Sequence, residues 1–224
     1  MDVDPLDHIE QSVMIPVGRA KLAGDLVVPE GAAGIVLFAH GSGSSRKSSR
    51  NRYVSRFLQR AGLATLLMDL LTQEEEVVDD YTREFRFDIP RLGARLVAAV
   101  DWLQRQDATR NLAIGTFGAS TGAAAAIIAA AERPDTVKAV VSRGGRPDLA
   151  GVALPRVQAP ALLIVGGWDE PVIELNRQAM QCMTAPTELV IVPEATHLFE
   201  EPGKLEQVAG LAANWFTRHL GTTV

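Results

Sequence analysis

NLAIGTFGASTGAAAAIIAAA, residues 111–131, is the stretch that decides the fold. Leu112, Ala113, Ile114, Thr116 and Phe117 form an apolar run of strand length, Gly118-Ala119-Ser120-Thr121-Gly122 is a sharp turn, and the alanine and isoleucine run after it reads as a helix. A G-x-S-x-G turn between strand and helix puts a serine on a strained elbow, with its hydroxyl above the sheet and its backbone at a helix N-terminus. The flanking glycines have a steric reason, because side chains there would meet the neighbouring strand and helix. Ala123 to Ala126 extend that reason by letting the helix lie close to the sheet. Ser120 can serve as a nucleophile or simply as a helix N-cap, and five residues do not separate the two.

Working outward, 224 residues suffice for one sizeable core and are few for two, so the expectation is one domain over residues 1–224. With 47% hydrophobic and 22% charged residues, the disordered, collagenous and disulfide-rich classes are excluded. The net charge of -5 and the lack of a long basic stripe argue against nucleic acid. Cys182 is the only cysteine, which excludes intramolecular disulfides and cysteine-cluster metal sites and fits a reducing compartment. The N-terminal MDVDPLDHIEQ lacks the apolar core of a secretory signal, and no run approaches the roughly 18 apolar residues of a membrane span. These features predict a cytoplasmic protein with no membrane contact.

Before the elbow, Ile9 to Val17 and Ala20 to Val28 predict an antiparallel hairpin around Gly18-Arg19. Ile35 to Ala39 is continuously apolar, as in a strand buried on both faces, and runs into the loop His40-Gly41-Ser42-Gly43-Ser44-Ser45. Ser48 to Ala61 has helical spacing closed by Gly62, and Leu63 to Met68 gives the next strand. The acidic stretch Thr72 to Thr82 reads as a solvated loop, and Phe87 to Arg105 as a long amphipathic helix. Beyond the elbow, strands are predicted at Val137 to Ser142, Pro160 to Val165 and Glu188 to Val192, with helices at Val172 to Cys182 and Leu205 to Leu220. Alternating apolar strands and helices define an α/β fold, a doubly wound, mostly parallel sheet with an antiparallel N-terminal hairpin. No long insertion lies between Val141 and Pro160 to form a lid, which predicts a modest pocket.

In such sheets the loops at the C-terminal strand ends converge on one crevice. Ser120, Asp169 and His197 each follow a predicted strand end, in the order Ser, Asp, His. The motifs His40-Gly41-Ser42-Gly43, Gly118 to Gly122, Gly166-Gly167-Trp168-Asp169-Glu170-Pro171-Val172 and Ala195-Thr196-His197 stand in that order. Across nearly its whole length the chain thereby resembles an α/β-hydrolase without a lid domain, and within that superfamily it is most similar to the dienelactone-hydrolase-like group. One departure stands out: dienelactone hydrolases proper carry a cysteine nucleophile, whereas this chain has Ser120, and Cys182 falls in a predicted helix.

The roles follow from physical need. A serine is a poor nucleophile without a base, an imidazole takes and returns a proton near neutral pH, and a carboxylate fixes the imidazole tautomer. Those needs assign Ser120, His197 and Asp169 in turn, with Glu170 or Asp148 as substitutes if Asp169 only caps a turn. The oxyanion would be met by the N–H groups of Thr121 and of Ser42. His40 is read as shaping its loop. Arg143 either receives an anionic substrate group or hydrogen bonds a loop carbonyl, and Trp168 is pocket wall or core. The expected activity is cofactor-independent hydrolysis of a small ester, lactone or thioester through an acyl-enzyme, with a small acyl molecule as partner and the monomer or homodimer state left open. The rival from another class is a non-catalytic ligand-binding protein of the same fold. A dinucleotide site fails for want of a third spaced glycine, and no histidines pair at metal-ligand spacing.

Overall fold

A computed structural model describes residues 8–221, with side chains from residue 10 onward. Most of the N-terminal stretch read above for a signal therefore lies outside the described residues. Eight strands form one sheet in the order β1-β2-β4-β3-β5-β6-β7-β8. They are β1 (His8–Val17), β2 (Ala20–Pro29), β3 (Gly34–Ala39), β4 (Ala64–Met68), β5 (Ala113–Ala119), β6 (Val137–Arg143), β7 (Ala161–Gly166) and β8 (Thr187–Val192). The hairpin β1–β2 is antiparallel and joins β4 antiparallel, while every pairing from β4 through β3 to β8 is parallel. The hairpin thus edges a parallel sheet, as the alternation of short apolar strands and helices requires.

Helices α1 (Ser49–Arg60), α2 (Gln73–Thr82), α3 (Ile89–Leu103), α4 (Gly122–Glu132), α5 (Glu170–Cys182) and α6 (Lys204–Leu220) connect or close these strands. Side chains alternate across the sheet. Leu37 and Ala39 therefore pack with α3 and α4 on one face, while Val36 and Phe38 pack with α1 and α6 on the other. On the second face the rings of Phe38 and Phe117 lie 4.7 Å apart at their centroids, an aromatic pair at the middle of the sheet.

One expectation is corrected. Thr72 to Thr82 is not a solvated loop: residues 73–82 form α2, started by a capping box in which Thr72 Oγ1 accepts from Glu75 N–H and the Glu75 carboxylate accepts from Thr72 N–H. Its Asp79 is buried and accepts hydrogen bonds from Phe85 N–H and Arg86 N–H, and its Oδ2 pairs with Arg86 Nε at 2.5 Å. The span between β6 and β7 is also structured. It holds a 3-10 helical segment, Pro147–Arg156, broken at Gly151 where φ is +51°.

Candidate functional site

At the elbow the sequence reading becomes geometry. Ser120 follows β5 with φ +51°, a left-handed conformation that a non-glycine residue adopts only where its surroundings enforce it. Three backbone bonds do so: Ser120 N–H donates to Arg143 O at 3.2 Å, and Ser120 O accepts from Ala123 N–H at 3.1 Å and Arg146 N–H at 3.0 Å. The flanking glycines are required by contact. A Cβ on Gly118 would lie 2.3 Å from Ala123 Cα in the helix, and one on Gly122 would lie 2.4 Å from Ala39 O in the neighbouring strand. Ser120 is not the N-cap of α4; Thr121 holds that position, and it makes no side-chain capping bond.

Asp169 and His197 come from the next strand ends. Gly167 N–H donates to Val192 O at 2.8 Å and Trp168 N–H to Ala195 O at 3.0 Å, which zips the turn after β7 to the loop after β8. Across that zip His197 Nδ1 and Asp169 Oδ2 lie 2.6 Å apart. Asp169 occupies the N-cap position of α5 yet makes no capping bond, so its carboxylate serves the imidazole rather than the helix. The histidine loop is anchored by buried Phe199 and by Glu201, whose carboxylate accepts Thr196 N–H at 3.1 Å. Among the described residues no hydrogen bond joins the Ser120 hydroxyl to the ring, and such contacts in unliganded sites are characteristically long and tighten on the substrate.

The loop after β3 lies over the elbow. Ser42 N–H donates to Thr121 Oγ1 at 3.0 Å, and the two hydroxyl oxygens stand 2.8 Å apart. Ser42 Oγ also donates to Arg86 O at 3.4 Å, so the Thr121 hydroxyl is the donor between the two side chains. Both residues expected at the oxyanion position are therefore together, with the Ser42 N–H resting on the Thr121 hydroxyl. His40 is fixed by its partners. Leu70 N–H can only donate, so Nε2 accepts it at 2.9 Å and Nδ1 carries the proton, given to Gly41 O at 2.9 Å. Burial lowers the His40 pKa and holds this neutral tautomer.

Beside this loop a cleft of about 390 Å³ opens between residues 40–48 and α2, floored by Leu70, Leu71 and Leu92. Ser42 and Thr121 line it; Ser120 and His197 stand outside its rim. Glu76 faces this cleft, and burial together with the charges of Asp69 and Asp80 raises its pKa. Sequence reasoning missed this wall, although the spacing Thr72-x-x-Glu75 carried its capping signal. Trp168 is 63% exposed, so it is not core. Arg143 is buried, and its one side-chain hydrogen bond goes to Asn51 Oδ1 at 3.4 Å rather than to a loop carbonyl. Asp148 is engaged by Arg146 and takes no part at His197. No cluster of three histidine, cysteine or acidic side chains among the described residues could hold a metal ion.

The sheet order, the strained serine elbow and the strand-end Asp–His pair define an α/β-hydrolase. Residues 22–220 match the dienelactone hydrolase family, and the chain belongs to it. It is similar to a dienelactone hydrolase of Anabaena variabilis whose crystal structure covers 95% of this chain and 99% of its own, at 62% identity and a TM-score of 0.93. Est1E of Butyrivibrio proteoclasticus shares the fold at 17% identity and a TM-score of 0.77, over 92% of this chain and 98% of its own. A Mycobacterium tuberculosis H37Rv protein, provisionally named a phosphoribosyl transferase, is 56% identical over 94% of this chain. The chain spans 47% of that relative's length.

Proposed function

We propose that this protein is a serine hydrolase that cleaves a small ester, lactone or thioester through an acyl-enzyme formed on Ser120. The observation that carries this reading is the 2.6 Å contact between His197 and Asp169, made by strand-end loops beside a serine held at φ +51°. Asp169 holds the Nδ1–H tautomer, leaving Nε2 free to take the Ser120 proton as Oγ attacks the carbonyl carbon. The tetrahedral oxyanion then receives N–H bonds from Thr121 and Ser42, the latter released from the Thr121 hydroxyl. Each such donor lowers the barrier by about 3 kcal/mol. His197 returns the proton to the leaving group, and water repeats the sequence to free the acid. Every proton in this scheme moves between Ser120, His197, the leaving group and water, so the reaction calls for no cofactor.

The 390 Å³ cleft beside the oxyanion loop suits a short acyl or alcohol portion. The transferase name of the mycobacterial relative belongs to a protein about twice as long, and the hydrolase reading rests on residues within the matched segment. Short p-nitrophenyl esters are the test. The wild-type protein should turn them over and Ser120→Ala should not; a folded wild type that binds such esters without releasing p-nitrophenol would instead be a ligand-binding protein.

A further inference from the structure

The charged side chains on the wall of the cleft between the loop after β3 and α2 are Lys47, Glu76, Asp79, Asp80 and Arg86. All but one of them are paired. Lys47 Nζ meets Asp25 at 2.7 Å, Arg86 Nη2 meets Asp80 at 3.2 Å, and Arg86 Nε meets buried Asp79. Among the described residues the Glu76 carboxylate has no hydrogen bond and no ion pair. Arg46, the cation that acts on it, is already engaged by Asp69 and Asp25. Glu76 stands in the first turn of α2, where the helix N-terminus favours its ionised form. Burial, and behind it the charges of Asp69 and Asp80, push its pKa up all the same, so a cation in the cleft would relieve it.

The same cleft adjoins the elbow. Gly41 lines it, and a Cβ on Gly41 would stand 3.0 Å from Ser120 Cβ and 3.8 Å from Ser120 Oγ. Ser42 and Thr121, whose N–H groups receive the oxyanion in the scheme above, line it as well. His197 stands outside the rim, and as general acid it must reach the leaving-group oxygen. The leaving group therefore lies on the His197 side, and the acyl chain enters the cleft. There Leu70, Leu71 and Leu92 on the floor suit methylene groups, and Glu76 on the α2 wall suits a positive end.

We propose that Glu76 is a specificity-determining residue of this hydrolase, selecting a short acyl chain that ends in a compact ammonium group. It rests on the hydrolase reading and adds which portion of the ester enters the cleft and what charge that portion carries. No bond at the ammonium forms or breaks. Its contact with the Glu76 carboxylate holds the acyl chain along the leucine floor, with the carbonyl at Ser120.

Two p-nitrophenyl esters of one chain length test this, one whose acyl chain ends in trimethylammonium and one that ends in the neutral isostere, tert-butyl. The wild type should favour the ammonium ester in kcat/KM by about 5- to 10-fold, and Glu76→Gln should lower that ratio by a similar factor. Because both esters share one leaving group, a general loss of activity in the variant cancels from the ratio. Should Glu76→Gln fail to fold, Ser44→Lys, which brings an ammonium into the same cleft, replaces it and should lower the ratio likewise. A wild-type ratio near one, or an equal ratio in wild type and variant, overturns the proposal, while turnover of the tert-butyl ester leaves the hydrolase reading standing. Release of p-nitrophenol from neither ester overturns it too, and fluorophosphonate labelling of Ser120 then decides whether the hydrolase reading falls with it.

Discussion

Asp169 shows how one side chain changes function with its neighbours. At the N-cap of α5 an aspartate ordinarily accepts a backbone N–H of its own helix, yet here its Oδ2 turns to His197. Asp169→Asn should therefore leave α5 and the melting temperature nearly unchanged while kcat on a p-nitrophenyl ester falls by about 10⁴-fold, because an amide favours the wrong imidazole tautomer. A large fall in melting temperature with activity preserved would return Asp169 to a capping role. His40 makes the opposite case. Its ring nitrogens are both committed inside the fold, one as donor and one as acceptor, so it acts as a strut between the loop after β3 and Leu70. Ser120, Asp169 and His197 could be singled out as candidates in the sequence because each falls in the loop beyond an apolar strand. The resting bond from Ser42 to Thr121 and the contact of Arg143 with Asn51 could not, since rotamers leave no mark on spacing.

At the scale of elements, α2 is the part of the site that the sequence concealed. Its buried residue is Asp79, while Val77, Val78 and Tyr81 are exposed, so no apolar stripe announces a helix. Polar anchoring substitutes for that stripe. Glu75 pairs with buried Arg95 at 2.6 Å, and Asp79 gathers Phe85 N–H, Arg86 N–H and Arg86 Nε. Burial alone would raise the Asp79 pKa, but the bonds from Arg86 and Phe85 outweigh it and hold the carboxyl below its ordinary 3.8. Because Arg86 O also accepts from Ser42, this anchor reaches the loop after β3. Asp79→Asn should destabilise the fold by about 3 kcal/mol, as expected when one partner of a buried ion pair is removed. Urea unfolding measures the change; a loss below about 0.5 kcal/mol, the scatter of surface substitutions, would mean that α2 is not held by this pair. The elbow helix α4 posed no such difficulty, because its alanine run packs on the sheet at nearly every position.

For the whole molecule, one sheet brings residues 40–45, 120–121, 143–146, 168–169 and 197 to a common edge, and its acid stability follows from the groups that hold that edge. His40 has a folded pKa below its ordinary 6.5, so the unfolded chain takes up the proton first and stability starts to fall as pH drops through 6.5. The carboxyls of Glu75 and Asp79 are held below their ordinary values, so their contribution is complete at neutral pH and is lost as pH falls below about 4. Melting temperature against pH should thus be flat near pH 7 to 8, decline gently below 6.5 and drop steeply below about 4; a flat profile down to pH 4 would show that His40 carries no such burden. The claim on which the function depends is that Ser120 becomes acylated. Treating the native protein with a short p-nitrophenyl ester, quenching in acid and mapping the adduct by mass spectrometry tests it directly. The expected result is one acyl group on the Ser120 peptide, released again with time. An unmodified Ser120, or an adduct elsewhere while p-nitrophenol is being released, would contradict the account.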